Sequence, residues 1–404
     1  MTVVKILLKL VLASLLTLVC VQYFVSKHYN YAYPSVFKGK YLYNPYDSLK
    51  KRWWKSNFHA HSIAWHHLPN GHQSPKKIIA HYKKDLKYDI ACLSNYEKRT
   101  HYLPPSDPHY IPVYEHGYNI GKVHQLVFGR DPIVYYDIAL FQTLDNKQYI
   151  INEEKQDSDI VVVAHPEVRD AYSRTDMEKL SGYDMLEVLN NKKIATRSWD
   201  EALSSGKPAW IIADDDCHDI SKSDETGVSW TMVNADTKKC KDVMDALRSG
   251  RSYGVKGSDG VNDHYLKQVT VKDTVVTFVV DDTATEIKLF GQNGILRKAE
   301  CNTDSISYTF KPTDTYIRAV AEFPSQELYL NPIIRYDGKH IPHNNNTASV
   351  NFWRTLRIRA EIVAIWIFGM TVVVNPSIPV TLSYFFRKRR ARELSLILVH
   401  QSGI

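Results

Sequence analysis

The stretch "NFHAHSIAWHHLPNGH", residues 57–72, holds five histidines in sixteen residues, the first two separated by one alanine. On an extended segment an HxH pair puts both imidazoles on one face, where both can reach one cation. Other residues able to hold a metal follow: Glu115 in "IPVYEHG", His124 in "KVHQL", His165 in "VVVAHP", and Asp216 and His218 in "DDDCHD". A lone histidine is ordinarily a surface or packing residue. Seven ligand-type side chains, nearly all at or near the ends of strand-like runs, point to a shared site. Histidine, glutamate and aspartate together suit Zn²⁺, Mn²⁺ or Fe²⁺ and do not suit Ca²⁺. The five cysteines are scattered without a CxxC pair, which argues against a thiolate site and against a disulfide framework.

These residues need a scaffold. Between residues 53 and 257, strand-like runs (88–95, 122–129, 159–166, 183–190 and 208–216) alternate with helix-like stretches (74–86, 140–156, 197–205 and 238–249). Short strands alternating with helices read as βα units around a parallel sheet or barrel. In such folds ligands gather at the C-terminal ends of the strands, where most of the candidate residues fall. After residue 257 the texture changes to alternating apolar and polar residues rich in Val, Ile, Thr and Tyr, punctuated by "QNG" and "KPTD". Residues 262–342 therefore read as a small antiparallel, sandwich-like unit.

Both ends read as membrane segments. "ILLKLVLASLLTLVCVQYFV" (6–25) is apolar and long enough to cross a bilayer; a cleaved signal peptide with Lys5 and Lys9 as its basic start is the rival reading, and the lack of an A-x-A-like cleavage site after it favours an anchor. Residues 362–386 lack any charged side chain and run directly into "RKRRAR". The positive-inside rule places that end, and the Lys5 and Lys9 end, in the cytoplasm. The expected organisation is a membrane anchor (1–30), a hydrolase-like domain (52–257), the β unit (262–342), a second transmembrane helix (361–386) and a basic cytoplasmic tail (387–404). The body between the spans would be extracytoplasmic, and periplasmic in a Gram-negative cell. Lys and Arg total 51 against 44 Asp and Glu, and much of the excess lies in the tail, so nucleic acid is not an expected partner.

Taken in order, "NFHAHS", "YDIACLSN", "IPVYEHG", "KVHQLVFG", "VAHP", "LEVLN", "DDDCHD" and the closing "ALRSGRSYGV" resemble the PHP family, named for polymerase and histidinol phosphatase. The resemblance covers about half the chain, and it implies a distorted (β/α)₇ barrel with metals at its C-terminal mouth that hydrolyses phosphoesters. It implies that His59, His61, Glu115 and Asp216 hold one ion and that His124, His165 and His218 hold a second. The pattern departs at two places. His66 stands where the family has an aspartate, and "SNY" (Ser94, Asn95, Tyr96) replaces "TDH", losing a histidine ligand. His66 is thus a further candidate ligand for a third ion, and the expected complement is two divalent transition metals, or three.

Glu115 and Asp216 are the expected catalytic carboxylates, with Glu115 the natural bridge between ions. Two metals about 3.5–4 Å apart activate a water and clamp the charge developing on a phosphoryl group. The expected activity is hydrolysis of a small-molecule phosphoester. Carboxylic or carbamate ester hydrolysis is the second enzymatic reading, and a membrane-tethered binding module with a decayed site is the non-enzymatic one.

Overall fold

The computed structural model describes residues 2–68, 71–129 and 132–375. Its contacts separate residues 30–349 from a second unit made of the described residues before and after them.

In the larger unit, the strands Ser158–Ala164, Met185–Leu189 and Trp210–Ala213 pair in parallel, with Val162 opposite Met185 and Leu186 opposite Ile211. Their nearly continuous apolar runs are what a sheet covered on both faces requires. The helices packed around them start where the local chemistry dictates. Thr143 and Asn146 cap Leu144–Lys155 reciprocally, and Ser173 and Asp176 do the same for Arg174–Lys179, satisfying first-turn amides that have no helical partner. Cys240–Arg248 buries Val243, Met244, Ala246 and Leu247, the spacing of one helical face. Arg174–Lys179 was not anticipated, because six residues carry too little periodicity to register.

The expected closed barrel does not form. Val113–His116, His124–Gly129 and Ser158–Ala164 join the parallel strands in one five-stranded sheet, but they pair antiparallel, Glu115 opposite Leu126 and His124 opposite Ala164. Only seven residues separate the first two, too few for the crossover that a parallel pair needs. The strands Trp54–Asn57 and Ile90–Ala91 belong to a second sheet of eleven strands. Among the described residues the two sheets meet through isolated bridges, Tyr96 with Glu115 on one side and Ala60 with Cys217 on the other. On that second side, buried polar side chains take over from the backbone ladder. Asp214 Oδ1 accepts from Phe58 N at 2.5 Å, Asn57 Oδ1 from Asp215 N at 2.9 Å, and Thr231 Oγ1 from Ala213 N at 2.8 Å.

The antiparallel strands beyond residue 257 continue this second sheet. Ser252–Lys256 pairs with Glu327–Leu330, which pairs with Tyr316–Glu322, which pairs with the second half of Val275–Gly291. That long strand alternates buried Val276, Phe278 and Val280 with more exposed neighbours, as one apolar face demands. The two sheets are packed tightly where Ser252–Lys256 crosses the parallel strands. A Cβ on Gly254 would lie 2.8 Å from Ile211 Cδ1, 3.0 Å from Ala213 Cβ and 3.1 Å from Leu189 Cδ1. Gly254→Ala is therefore expected to cost about 1–3 kcal/mol through overpacking, read as a lower urea midpoint for the full chain.

In the other unit, the helix Thr2–Val25 is long and apolar enough to cross a membrane. It runs antiparallel to the helix Phe352–Val374, with Lys9 Nζ donating to Val374 O at 2.6 Å, Trp366 Nε1 to Thr17 Oγ1 at 2.9 Å and Arg359 Nε to Phe24 O at 2.9 Å. The expected second span is not shown. Phe352–Val374 carries Arg354, Arg357, Arg359 and Glu361 in its first half, and residues 376–386 and the basic tail 387–404 lie outside the described residues.

Candidate metal centre

The backbone delivers all seven residues to one focus, and six of them fall into two buried donor groups. His59 and His61 follow the strand Trp54–Asn57, while the intervening Phe58 and Ala60 face the core; Phe58 meets Phe128 at 5.5 Å between ring centroids. Glu115 lies within Val113–His116 and His124 opens the neighbouring strand. A Cβ on Gly117 (φ +127°) would stand 2.4 Å from His124 Cδ2, so the missing side chain makes room for that ring. His165 and Asp216 come just after their strands end, both with left-handed backbone (φ +27° and +48°). Non-glycine residues held there mark positions where the surroundings impose the conformation, as functional sites do.

The side chains converge in two groups that share Glu115. His59, His61, Glu115 and Asp216 form the first and Glu115, His124 and His165 the second. In the first, His59 Nε2 lies 3.2 Å from His61 Nε2, from Glu115 Oε2 and from Asp216 Oδ1, and His61 Nε2 lies 2.9 Å and 3.4 Å from the same two oxygens. Four donors around an ion with bonds of about 2.0–2.1 Å stand roughly 3.3 Å apart in a tetrahedron, close to these separations. In the second group, Glu115 Oε1 lies 2.6 Å from His124 Nδ1 and 3.1 Å from His165 Nε2. Glu115 thus turns one oxygen to each group.

Two observations test whether a cation fits. Glu115 Oε2 and Asp216 Oδ1 are buried and face the imidazole nitrogens of the first group at 2.9 to 3.4 Å, without a well-aligned hydrogen bond. Buried acceptors without aligned donors are rare and costly, and a cation placed among these oxygens and imidazole nitrogens would satisfy them. Burial alone would raise both carboxyl pKa values. Instead His124 and His59 hold Glu115, and His59 and Lys192 hold Asp216, well below the usual carboxylate range. Burial alone would lower the pKa of His59, yet Asp216, Glu187 and Glu115 raise it well above that of an ordinary imidazole. Burial pushes His124 down to about 4, leaving a neutral ring with a lone pair to offer.

His218 does not join His124 and His165, the grouping that the family resemblance implied. Its Nε2 lies 3.2 Å from Asp216 Oδ1, and its ring stacks on His61 at 4.3 Å. His66 lies exposed at φ +53° on the turn Trp65–His67 and belongs to neither group. His101 packs on Tyr110, 5.4 Å between centroids. In the triplet "SNY", Asn95 and Tyr96 have structural contacts. Asn95 accepts from Ser62 N at 2.8 Å and donates to Ser62 Oγ and Thr100 Oγ1. Tyr96 stacks on His61 at 4.7 Å and meets His124 edge-on at 5.4 Å. Burial, then the charges of Glu115 and Asp216, raise its pKa well above 10, so it stays a neutral phenol and makes a poor ligand.

Two participants were missed from sequence. Glu187 Oε1 accepts from His59 Nδ1 at 3.0 Å and from Asn190 Nδ2 at 3.2 Å, while Oε2 accepts from His165 N at 2.7 Å. It fixes the His59 tautomer that turns Nε2 toward the ligand group. The available signal was a glutamate in the middle of the otherwise apolar strand "MLEVL". Lys192, whose Nζ pairs with Asp216 Oδ2, sits in a loop with no such signal. Glu187→Ala is expected to weaken metal binding about 10- to 100-fold, measured by competition with a chelator of known affinity.

Fold and site together define a mixed α/β protein with a buried His/Glu/Asp cluster of metal-binding type. No protein-family model matches the chain, and no curated protein matches it. A solved structure from Bacteroides vulgatus ATCC 8482, a two-domain protein containing a predicted PHP-like metal-dependent phosphoesterase, aligns over 80% of this chain and 99% of its own with a TM-score of 0.39 and 12% identity. At that distance the chemistry rests on the side chains themselves.

Proposed function

We propose that this chain is a metal-dependent hydrolase that cleaves a phosphoester at the centre shared by Glu115. The observation that carries this reading is the division of one buried carboxylate between two donor groups, the arrangement that holds two ions side by side. His59, His61 and Asp216 would complete the first set of ligands, His124 and His165 the second. When bound, two divalent cations supply Lewis acidity toward the phosphoryl oxygens and a lowered pKa for water.

The chain's own groups do the rest. Glu187 and Asn190 keep His59 oriented, and Lys192, on the solvent side of Asp216, adds positive charge where an anionic ester arrives. Water's oxygen forms the new bond to phosphorus, the bond to the alcohol oxygen breaks, and the alcohol leaves with a proton from that water. Lys192 and Lys122 at the mouth favour a phosphoester over an uncharged carboxylic or carbamate ester.

The helix Thr2–Val25 would anchor the protein in the membrane. Its antiparallel packing on Phe352–Val374 brings Lys9 beside Val374, and with the positive-inside rule for Lys5, Lys9 and the basic tail the proposed topology has both termini on the cytoplasmic side and the body outside.

The test is elemental analysis of the full chain purified in detergent, followed by phosphomonoester and carboxylic ester turnover with added Zn²⁺, Mn²⁺ or Fe²⁺. About two ions per chain and metal-dependent phosphate release are expected. Turnover of carboxylic esters alone would favour the second enzymatic reading. Fewer than one ion per chain, with no rescue by added metal, would leave a binding module.

A further inference from the structure

Beside the metal centre lies a cleft of about 610 Å³, lined by Trp65, Leu68, Tyr96, Tyr118, Lys122 and Tyr135, with His124 on its inner wall. That volume is in the range of small-molecule sites, roughly 300–1,000 Å³. Four of its walls are aromatic, and three of those rings are open to water: Trp65 is 42% exposed, Tyr118 50% and Tyr135 58%. Large apolar side chains gathered in one concave place, next to reactive groups, are what a ligand covers.

The cleft is a built feature. Trp65 Nε1 donates to Tyr96 O at 2.8 Å, fixing the indole at the rim from a turn whose Trp65 and His66 both have left-handed backbone. Tyr96 forms the wall shared with the metal centre, its ring stacked on His61 and edge-on to His124. Two lysines stand by these rings, Lys98 Nζ 5.5 Å from the centroid of Trp65 and Lys122 Nζ 5.8 Å from that of Tyr96, while the buried Glu97 in the cleft wall accepts from Gly117 N at 2.7 Å.

We infer that this cleft receives the alcohol part of the substrate, and that the substrate is a phosphoester whose alcohol carries a planar apolar ring. The inference rests on the phosphoester reading above and names its substrate class. Aromatic walls offer a flat group stacking faces that a small polar alcohol cannot use. The lysines stand where the anionic end of such a molecule passes on its way to Glu115 and His124.

The test separates binding from turnover. The full chain in nanodiscs, loaded with the metal that elemental analysis identifies, is titrated calorimetrically with 1-naphthylmethylphosphonate and with methylphosphonate, neither of which is hydrolysed. The naphthyl compound is expected to bind about ten- to a hundredfold more tightly. Trp65→Ala and Tyr135→Ala should each reduce that preference about tenfold, while Ile295→Ala, on a distant exposed strand, leaves it in place. Equal affinity of the parent chain for the two phosphonates, or an undiminished preference in both variants, would overturn the inference. Absence of turnover alongside a preserved preference would instead count against the phosphoesterase reading and leave the cleft's ligand class standing.

Discussion

Glu115→Gln is expected to empty the metal centre, whereas Asp216→Asn and His165→Ala each leave about one ion per chain. The asymmetry follows from the geometry. Glu115 Oε2 belongs with His59, His61 and Asp216, and Glu115 Oε1 with His124 and His165, so one residue serves both sets. An amide keeps the shape but loses the charge and turns a donor toward at least one neighbouring ligand. Asp216 and His165 each serve a single set. All three substitutions should lower kcat/KM for a phosphoester by about 10³-fold or more, roughly 4 kcal/mol of transition-state stabilisation at 1.36 kcal/mol per decade. Metal content by mass spectrometry and single-substrate kinetics on the same preparations would check both halves. Unchanged turnover in Asp216→Asn and His165→Ala would remove these residues from the reaction. Equal metal loss in all three variants would remove the bridging role of Glu115.

The donor residues were legible in the sequence because metal chemistry restricts both side-chain type and position. His59, His61, Glu115, His124, His165 and Asp216 stood out as polar groups at the ends or near ends of apolar runs, and they converge. Their grouping was less legible. His218 has the same spacing from Asp216 as His61 has from His59, but a left-handed Asp216 turns the chain so that His218 stacks on His61 instead of reaching His124. Nothing in a residue string announces a positive φ at an aspartate. Strand direction was also hidden. "KVHQLVFG" reads the same in a parallel or an antiparallel neighbour, and the brevity of the link from His116 to His124 was the available clue. Where the two sheets meet near Cys217, Asn57, Asp214 and Thr231 make side-chain bonds in place of backbone pairing, a long-range arrangement that local periodicity does not encode.

The buried pair Arg318–Asp200 supplies the largest expected effect on stability. Arg318 Nε and Nη2 donate to the two Asp200 oxygens at 2.8 and 2.6 Å, and Tyr316 OH adds a third bond at 2.9 Å. The guanidinium lies 4.5 Å from the ring centroid of Phe290 and 5.0 Å from that of Trp199. The pair ties the strand Tyr316–Glu322 to the helix Thr196–Ser204, and so the antiparallel strands to the α/β part. Removing one partner leaves the other charged, buried and unpaired. Arg318→Ala and Asp200→Ala are each expected to cost about 3–5 kcal/mol, seen as a lowered urea midpoint. The attraction between buried charges is largely offset by the water each gives up, so replacing both with apolar groups of similar size removes the penalty along with the bond. Arg318→Met combined with Asp200→Leu should therefore be more stable than either alanine variant. If the double replacement were instead less stable than the parent chain by several kcal/mol, the ion pair would be a net source of stability, and the junction between the two parts would depend on charge, not packing.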